Sequence, residues 1–218
     1  MSPIDAVKHL LLESGAAWVL YFLGLLSLVT VVLVVERTLF YRAVRGDVRT
    51  LVYDLDSHLA AGDIESAKTS MAGSRSVAAS IALAGLRLAA RGSIAAEHGM
   101  RSTTAIERER LERWLAYLGT VGNNAPFVGL FGTVIGVIHA FEELGHSTGQ
   151  AAAAAASQAA SQEVMAAVAE ALVATAVGIV VALPAVAFFN FFQRKVASIL
   201  SEAEALSNIV LAYIGDKS

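Results

Sequence analysis

The sequence predicts an all-α membrane protein with three transmembrane helices and long cytoplasmic helical extensions. Three observations carry this. First, residues of the AVILMFWYC set make up 56% of the 218-residue chain and charged residues only 16%, against about 25% charge in an ordinary soluble domain; the mean hydropathy is +0.62. No soluble fold of this size hides so much apolar surface in one core. Second, the apolar residues gather into three runs, each long enough to cross roughly 30 Å of hydrocarbon as a helix. Third, proline occurs only 3 times, and no alternating apolar–polar stretch of useful length suggests a strand.

The same composition excludes several functions. So apolar a chain is not intrinsically disordered. A net charge of −3 argues against nucleic acid as a partner. With Cys at 0 there is no disulfide framework, thiolate metal site or cysteine nucleophile. The histidines (His9, His58, His98, His139 and His146) show no metal-ligand spacing. No metal, cofactor or enzymatic activity is expected.

Residues 1–15 open the chain. Ile4, Val7, Leu10 and Leu11 recur at helical spacing, as in an amphipathic helix lying on the outer membrane surface. Residues 16–35 form the first span, closed by Glu36 and Arg37, with Trp18, Tyr21 and Phe22 near its outer end. Its apolar core is too long for a cleaved signal peptide, Asp5 and Glu13 precede it, and no A-x-A-like site follows. Residues 36–113 form a helical domain. Val48, Val52, Leu55 and Leu59 make one stripe; Ile81, Leu83, Leu86, Leu88 and Ala89 make another. A turn over 61–63 offers Asp63 as an N-cap. Thr104 and Glu107 have capping-box spacing, unless the helix already begins near Ser93, and Glu107, Arg108, Glu109, Arg110, Glu112 and Arg113 read as a solvated, ion-paired helix face.

Residues 114–141 are the second span. It lacks acidic and basic residues, contains Pro126, and begins with the interfacial aromatics Trp114 and Tyr117. Residues 142–163 form an outer connection with an alanine tract that extends the next helix outward. Residues 164–192 are the third span, with Glu170 its one charge, Pro184 a point of possible kinking, and Phe188, Phe189, Phe191 and Phe192 at its end. Residues 193–218 form a C-terminal helix. Of the 16 Lys and Arg residues, Lys8 precedes the first span, none lies between Phe141 and Val164, and Arg194, Lys195 and Lys217 follow the third. The other twelve lie between Arg37 and Arg113. The positive-inside rule, applied to the charges near the span ends, puts residues 36–113 and the C-terminus in the cytoplasm and the N-terminus outside.

Glu170 is the sharpest candidate for function. It sits roughly 9 Å inside the third span at 1.5 Å per residue. A carboxylate there is costly and normally faces a bundle interior or a water-filled path. Thr175 and Thr133 sit at similar depths, roughly 16 Å and 12 Å in. Glu170 and Thr175 are separated by about 140° around an ideal helix, so they do not point at one axis. Gly122, Gly129 and Gly136 recur at heptad steps, with Gly119 nearby, and Gly132 to Gly136 is a GxxxG. Such small residues let helices approach closely. Asn123 and Asn124 could satisfy backbone groups freed at Pro126. Residues Gly145-His-Ser-Thr-Gly149 match a serine-nucleophile pattern, but that pattern needs a strand-to-helix elbow in an α/β sheet; here it follows a membrane helix.

Two stretches carry a resemblance. Gly119-Thr-Val-Gly-Asn-Asn-Ala-Pro-Phe-Val-Gly-Leu-Phe-Gly-Thr-Val-Ile-Gly136 is similar to the second span of the MotA/TolQ/ExbB proton-channel family, closest to its ExbB/TolQ branch. Val168-Ala-Glu-Ala-Leu-Val-Ala-Thr-Ala-Val-Gly178, with Ala182-Leu-Pro-Ala-Val186 and Asn190, is similar to the third, and Glu36-Arg37 also fits. The resemblance implies a ring-forming subunit of the bacterial inner membrane, a homopentamer in this family. The second and third spans line a pore that holds single-span helices of an ExbD/TolR-type partner, whose Asp carries the proton. It implies a proton-channel stator that uses the proton motive force for mechanical work on the envelope (TonB-type transport, Tol-type or gliding-type), with a TonB-like or other envelope protein downstream. By position, Thr133 and Thr175 match the pore threonines and Glu170 the third-span acid, forming the ion pathway; Gly129, Gly132, Gly136, Pro126 and Pro184 belong to helix packing and the pore wall. The alternative is a non-conducting membrane scaffold in which Glu170 is a structural ion-pair partner.

Overall fold

The structure, a computed structural model, describes residues 17–44, 46–148 and 154–215. They form α1 (Ala17–Val44), α2 (Val48–Ala60), α3 (Ile64–Gly73), α4 (Val77–Leu88), a 3-10 turn (Ala89–Arg91), α5 (Ser93–Glu112), α6 (Leu115–Thr148) and α7 (Ala154–Gly215), with no strand among the described residues. Helices α1, α6 and α7 are long and apolar enough to cross a membrane. The expected fold class, an all-helical membrane protein with three spans, holds. The amphipathic segment 1–15 lies outside the described residues. Helix α6 runs on to Thr148, so the backbone at Gly145–Thr148 is helical and offers no elbow for a serine nucleophile.

The chain divides into two compact units. The first is Met1–Leu33 with Tyr117–Phe189. Its core combines Val19 and Leu23 of α1, Val121 and Ala125 of α6, and Val181, Ala182 and Ala185 of α7. Lipid tails are as apolar as these side chains, so close backbone fit rather than escape from water holds such helices together. The fit is tightest where α6 crosses α7. A Cβ on Gly129 would stand 2.7 Å from the Ala174 carbonyl oxygen, and one on Gly178 would stand 2.7 Å from that of Ala125. A Cβ on Gly122 would meet a Val186 methyl at 2.5 Å, and Gly132 lies against Ala174 of α7 and Val19 of α1; Gly136 is buried.

Pro126 and Pro184 lie inside α6 and α7, which are continuous through them. Proline cannot donate, so the carbonyls of Gly122 and Val180 lose their amide partners. Asn124 does not fill the first gap. Its amide donates at 2.8 Å to the Thr120 carbonyl, two residues before the one that Pro126 leaves. Trp18, expected as an interfacial anchor, packs edge-on against Phe131 at 6.1 Å.

The second unit is Val34–Ala116 with Asn190–Ser218. Asp47 caps α2 by accepting from the Arg49 amide, and Asp63 caps α3 by accepting from the Ser66 amide at 2.9 Å. The Ser66 hydroxyl and amide together hold the Asp63 carboxyl below its ordinary value. Between these helices the expected turn closes as a Schellman motif: Gly62 has φ 75, and the amides of Gly62 and Asp63 donate to the carbonyls of Leu59 and His58. The two readings of the Thr104 region are decided in favour of the earlier helix start. Thr104 is not at a helix start, because α5 begins at Ser93 after Gly92, whose φ of 96 only glycine adopts cheaply. The Thr104 hydroxyl instead donates to Met100 O at 2.8 Å. The charged face of α5 carries an exposed Arg101–Glu97 pair, worth little to stability, and an Arg110–Glu107 pair whose carboxylate side chain is only 15% exposed.

Helix α5 ends without a cap of its own. Arg113 turns extended (ψ 132) and Trp114 follows at φ 69, the one non-glycine residue with positive φ among those described. The orphan carbonyls of the last turn are satisfied from α1. The Arg37 guanidinium donates to Arg110 O at 3.3 Å and the Tyr41 hydroxyl to Leu111 O at 2.7 Å. A cation at a helix C-terminus also suits the helix dipole. Arg37 is 3% exposed, grips both oxygens of Glu36 and lies 4.7 Å over the Phe40 ring. Burial opposes its charge, but Glu36 overcomes this and holds the guanidinium above its ordinary value; Arg37 in turn holds Glu36 below its own.

Burial pushes the Tyr41 phenol up to about 12 from 10.0, so it stays a donor across the physiological range. A raised value favours the protonated, folded state. The stability it contributes is complete below pH ~10 and is lost as pH rises toward about 12. In an ultraviolet pH titration, Tyr41→Phe should remove a tyrosine with a midpoint near 12. A missing component centred at the ordinary tyrosine value would mean that the phenol is solvated and not bonded to Leu111.

Candidate functional site

The site is built at the α6–α7 crossing. Gly129 and Gly178 let the two backbones touch. Thr133 lies one turn past Gly129, and Thr175 lies one turn before Gly178. The close approach brings their hydroxyls into a mutual hydrogen bond. Thr133 Oγ1 also stands 3.2 Å from the Gly129 carbonyl and donates to it. When that proton is spent on Gly129, Thr175 donates the shared bond; either hydroxyl can serve as its donor. Both side chains are half-buried. A hydroxyl is donor and acceptor at once, so the pair can reverse its polarity by rotation. That is what a group passing a proton, or ordering a water that passes one, must do. A packing threonine that bonds only to its own helix has no such partner.

Glu170 is not part of this pair. It lies on α7, exposed, with no hydrogen bond or ion pair among the described residues. The angular separation expected from sequence is the reason: a face that buries Thr175 against α6 turns the residue five positions earlier outward. Leu172 and Val173 are exposed beside it, so the carboxylate stands on an apolar α7 face not covered by the described residues. The described residues contain no cluster of His, Asp and Glu suited to a metal.

A second polar contact in the first unit was not anticipated. Thr30 of α1, 4% exposed, donates to Leu26 O at 2.8 Å, and its hydroxyl meets that of Tyr117 of α6. Neither the Arg37–Tyr41 capping of α5 nor the Thr30–Tyr117 contact has a sequence motif. The only hint is that Glu36 and Arg37 directly follow an uncharged run.

Three membrane-length helices packed through glycines, with paired hydroxyls where two of them cross, define a multi-pass membrane protein with a polar step inside its apolar unit. The chain belongs to the MotA/TolQ/ExbB proton channel family, whose model matches residues 73–205. It is similar to the Tol-Pal system protein TolQ of Pseudomonas aeruginosa, 42% identical over 96 residues that cover 44% of this chain and 38% of that protein. It is also similar to the biopolymer transport protein ExbB of Xanthomonas campestris pv. campestris, 34% identical over 112 residues (51% of this chain, 41% of the relative). Against ExbB of Neisseria gonorrhoeae it is 34% identical over 109 residues (50% and 46%). The chain thus spans less than half the length of these relatives.

Proposed function

We propose that the chain is the channel-forming stator subunit of an inner-membrane motor driven by the proton motive force. In this reading several copies, five by family resemblance, form a ring around the single-span helices of an ExbD/TolR-type partner. Residues 36–113 and the C-terminus lie in the cytoplasm and the N-terminus lies outside. The observation that carries the reading is the Thr133–Thr175 hydrogen bond inside a membrane-length helix pair, combined with a Glu170 on the exposed face of α7 that has no partner among the described residues.

Protons cross between the ring and the partner helix. Glu170, about 7.5 Å along α7 from Thr175, sets the charge of the path, and the threonine pair offers the next polar step. Neutralising the partner's carboxylate frees its helix to shift against the apolar wall. One charge crossing 100 mV yields about 2.3 kcal/mol, which matches one or two weak contacts, so a large stroke uses several protons. The work goes to an envelope system of TonB, Tol or gliding type.

The test is proton flux in proteoliposomes that hold the chain with its co-purified single-span partner. Thr175→Val keeps the shape and removes the hydroxyl. It should lower flux by about tenfold, the effect of one lost hydrogen bond of roughly 1.4 kcal/mol. Thr175→Ser should retain most of it, and Glu170→Gln should lower flux and change its pH dependence. Unchanged flux in both Thr175→Val and Glu170→Gln would instead favour a static scaffold.

A further inference from the structure

A cleft of about 220 Å³ opens in the second unit between α1 and α7, just past the ends of their apolar runs. Its lining includes Thr38, Phe191 and Phe192, the cations Arg42 and Lys195, and Glu202. Neither Arg42 nor Lys195 has a hydrogen bond or ion pair among the described residues.

Depth along the helices suggests what the cations are for. The first apolar run ends at Val35 and the third at Phe192. Thr38 and Lys195 each lie three residues beyond those ends, about 4.5 Å, and Arg42 lies seven residues beyond, about 10 Å. The headgroup layer on each bilayer face is roughly 5–8 Å thick. Both helices leave the apolar layer C-terminally, and helical side chains lean toward the N-terminus. Arg42 and Lys195 therefore reach back into the headgroup layer, while Phe191, Phe192 and Thr38 stay at the hydrocarbon edge. Glu202 lies ten residues past Phe192, about 15 Å, beyond the headgroups, where it accepts from the Ser198 hydroxyl at 3.5 Å. Apolar lining on the lipid side, unpaired cations at phosphate depth and an acid only on the water side form the polarity profile of one phospholipid end. Basic recesses between helices at this level bind anionic headgroups.

We propose that this cleft is a binding site for an anionic phospholipid. Arg42 and Lys195 hold the phosphodiester, and Thr38, Phe191 and Phe192 contact the glycerol and the first acyl carbons. The inference rests on the three-span fold alone and is independent of the stator reading.

The experiment uses the full chain extracted from mixed phosphatidylcholine–phosphatidylglycerol vesicles, with retained lipids counted by native mass spectrometry. The wild type should retain phosphatidylglycerol in preference to phosphatidylcholine. Arg42→Gln with Lys195→Gln should reduce that preference roughly thirty-fold, from about a kcal/mol per removed surface cation. The charge-keeping Arg42→Lys with Lys195→Arg should preserve it. The control Arg87→Gln with Arg91→Gln, which removes two cations elsewhere in the unit, should leave it unchanged. Equal retention of both lipids by the wild type overturns the proposal without any variant having to fold. An equal loss in the control pair also overturns it, because surface charge in general would then be responsible. Displacement of the lipid by inorganic phosphate would show a plain anion site, and that too overturns it.

Discussion

Gly178→Ala should measurably destabilise the chain in detergent, whereas Gly24→Ala should leave it unchanged. The added Cβ at position 178 would stand 2.7 Å from Ala125 O and 3.1 Å from Gly129 Cα. Both are backbone atoms of α6, so no side chain can swing aside and the two helices must separate. Overpacking typically costs about 1–3 kcal/mol, and backbone obstruction puts this case at the upper end. Gly24 has nothing within 4 Å of the same added atom, and a substitution away from such features stays within about 0.5 kcal/mol. Loss of monodisperse elution on heating would read both variants. The first should aggregate at clearly lower temperature, and the second should track the wild type. The helix separation would also pull Thr133 from Thr175, so proton flux should fall in Gly178→Ala even though no polar group has been removed. A Gly178→Ala protein as heat-resistant as the wild type would mean that α6 and α7 do not cross at these glycines.

Arg37→Met should cost about 2 kcal/mol of stability, in the range for hydrogen bonds to a charged group. Methionine fills much of the volume over Phe40 but cannot donate to Arg110 O. The full penalty for splitting a buried ion pair, about 3–5 kcal/mol, is not expected, because the Glu36 side chain left behind is 47% exposed and can be hydrated. Arg37→Lys should recover only part of the loss, since an ammonium lacks the planar fork that holds both Glu36 oxygens and a carbonyl together. Chemical denaturation of the purified chain, with the α5–α7 region followed by hydrogen exchange, would locate the effect. Protection should fall first at the C-terminal turn of α5, where Arg37 and Tyr41 supply the missing cap. If Arg37→Met melts like the wild type with α5 still protected, the α5 end must be capped by something other than α1.

Much of this architecture was legible in the sequence because its signals are local. An uncharged run reads as a span, and Gly62 before Asp63 reads as a helix end followed by an N-cap. Both follow from the preferences of a few consecutive residues. The capping-box spacing at Thr104 shows the limit of such local signals, since the competing start near Ser93, behind the left-handed Gly92, is the one the structure has. The heptad glycines of the second span announced close packing without naming a partner, and the structure supplies it in Ala174, Gly178 and Val186. Asn124 shows the limit of proximity in sequence: it lies beside Pro126 yet bonds to Thr120.

What the sequence determined by itself is the class of protein: helical, membrane-spanning, with its basic residues partitioned and a single carboxylate within a span. These properties are sums over neighbouring residues, since transfer into lipid and helix formation are settled within a turn or a span. Only the tertiary structure decided which polar groups meet. Thr133 and Thr175 are 42 residues apart, and Arg37 and Arg110 are 73 apart. Whether such pairs touch depends on where helices cross and how each is rotated, which glycine-sized gaps in distant helices fix jointly. The same rotation half-buries Thr175 against α6 and leaves Glu170 exposed, the outcome that their roughly 140° separation on an ideal helix allows once the tertiary packing has chosen which of the two faces inward.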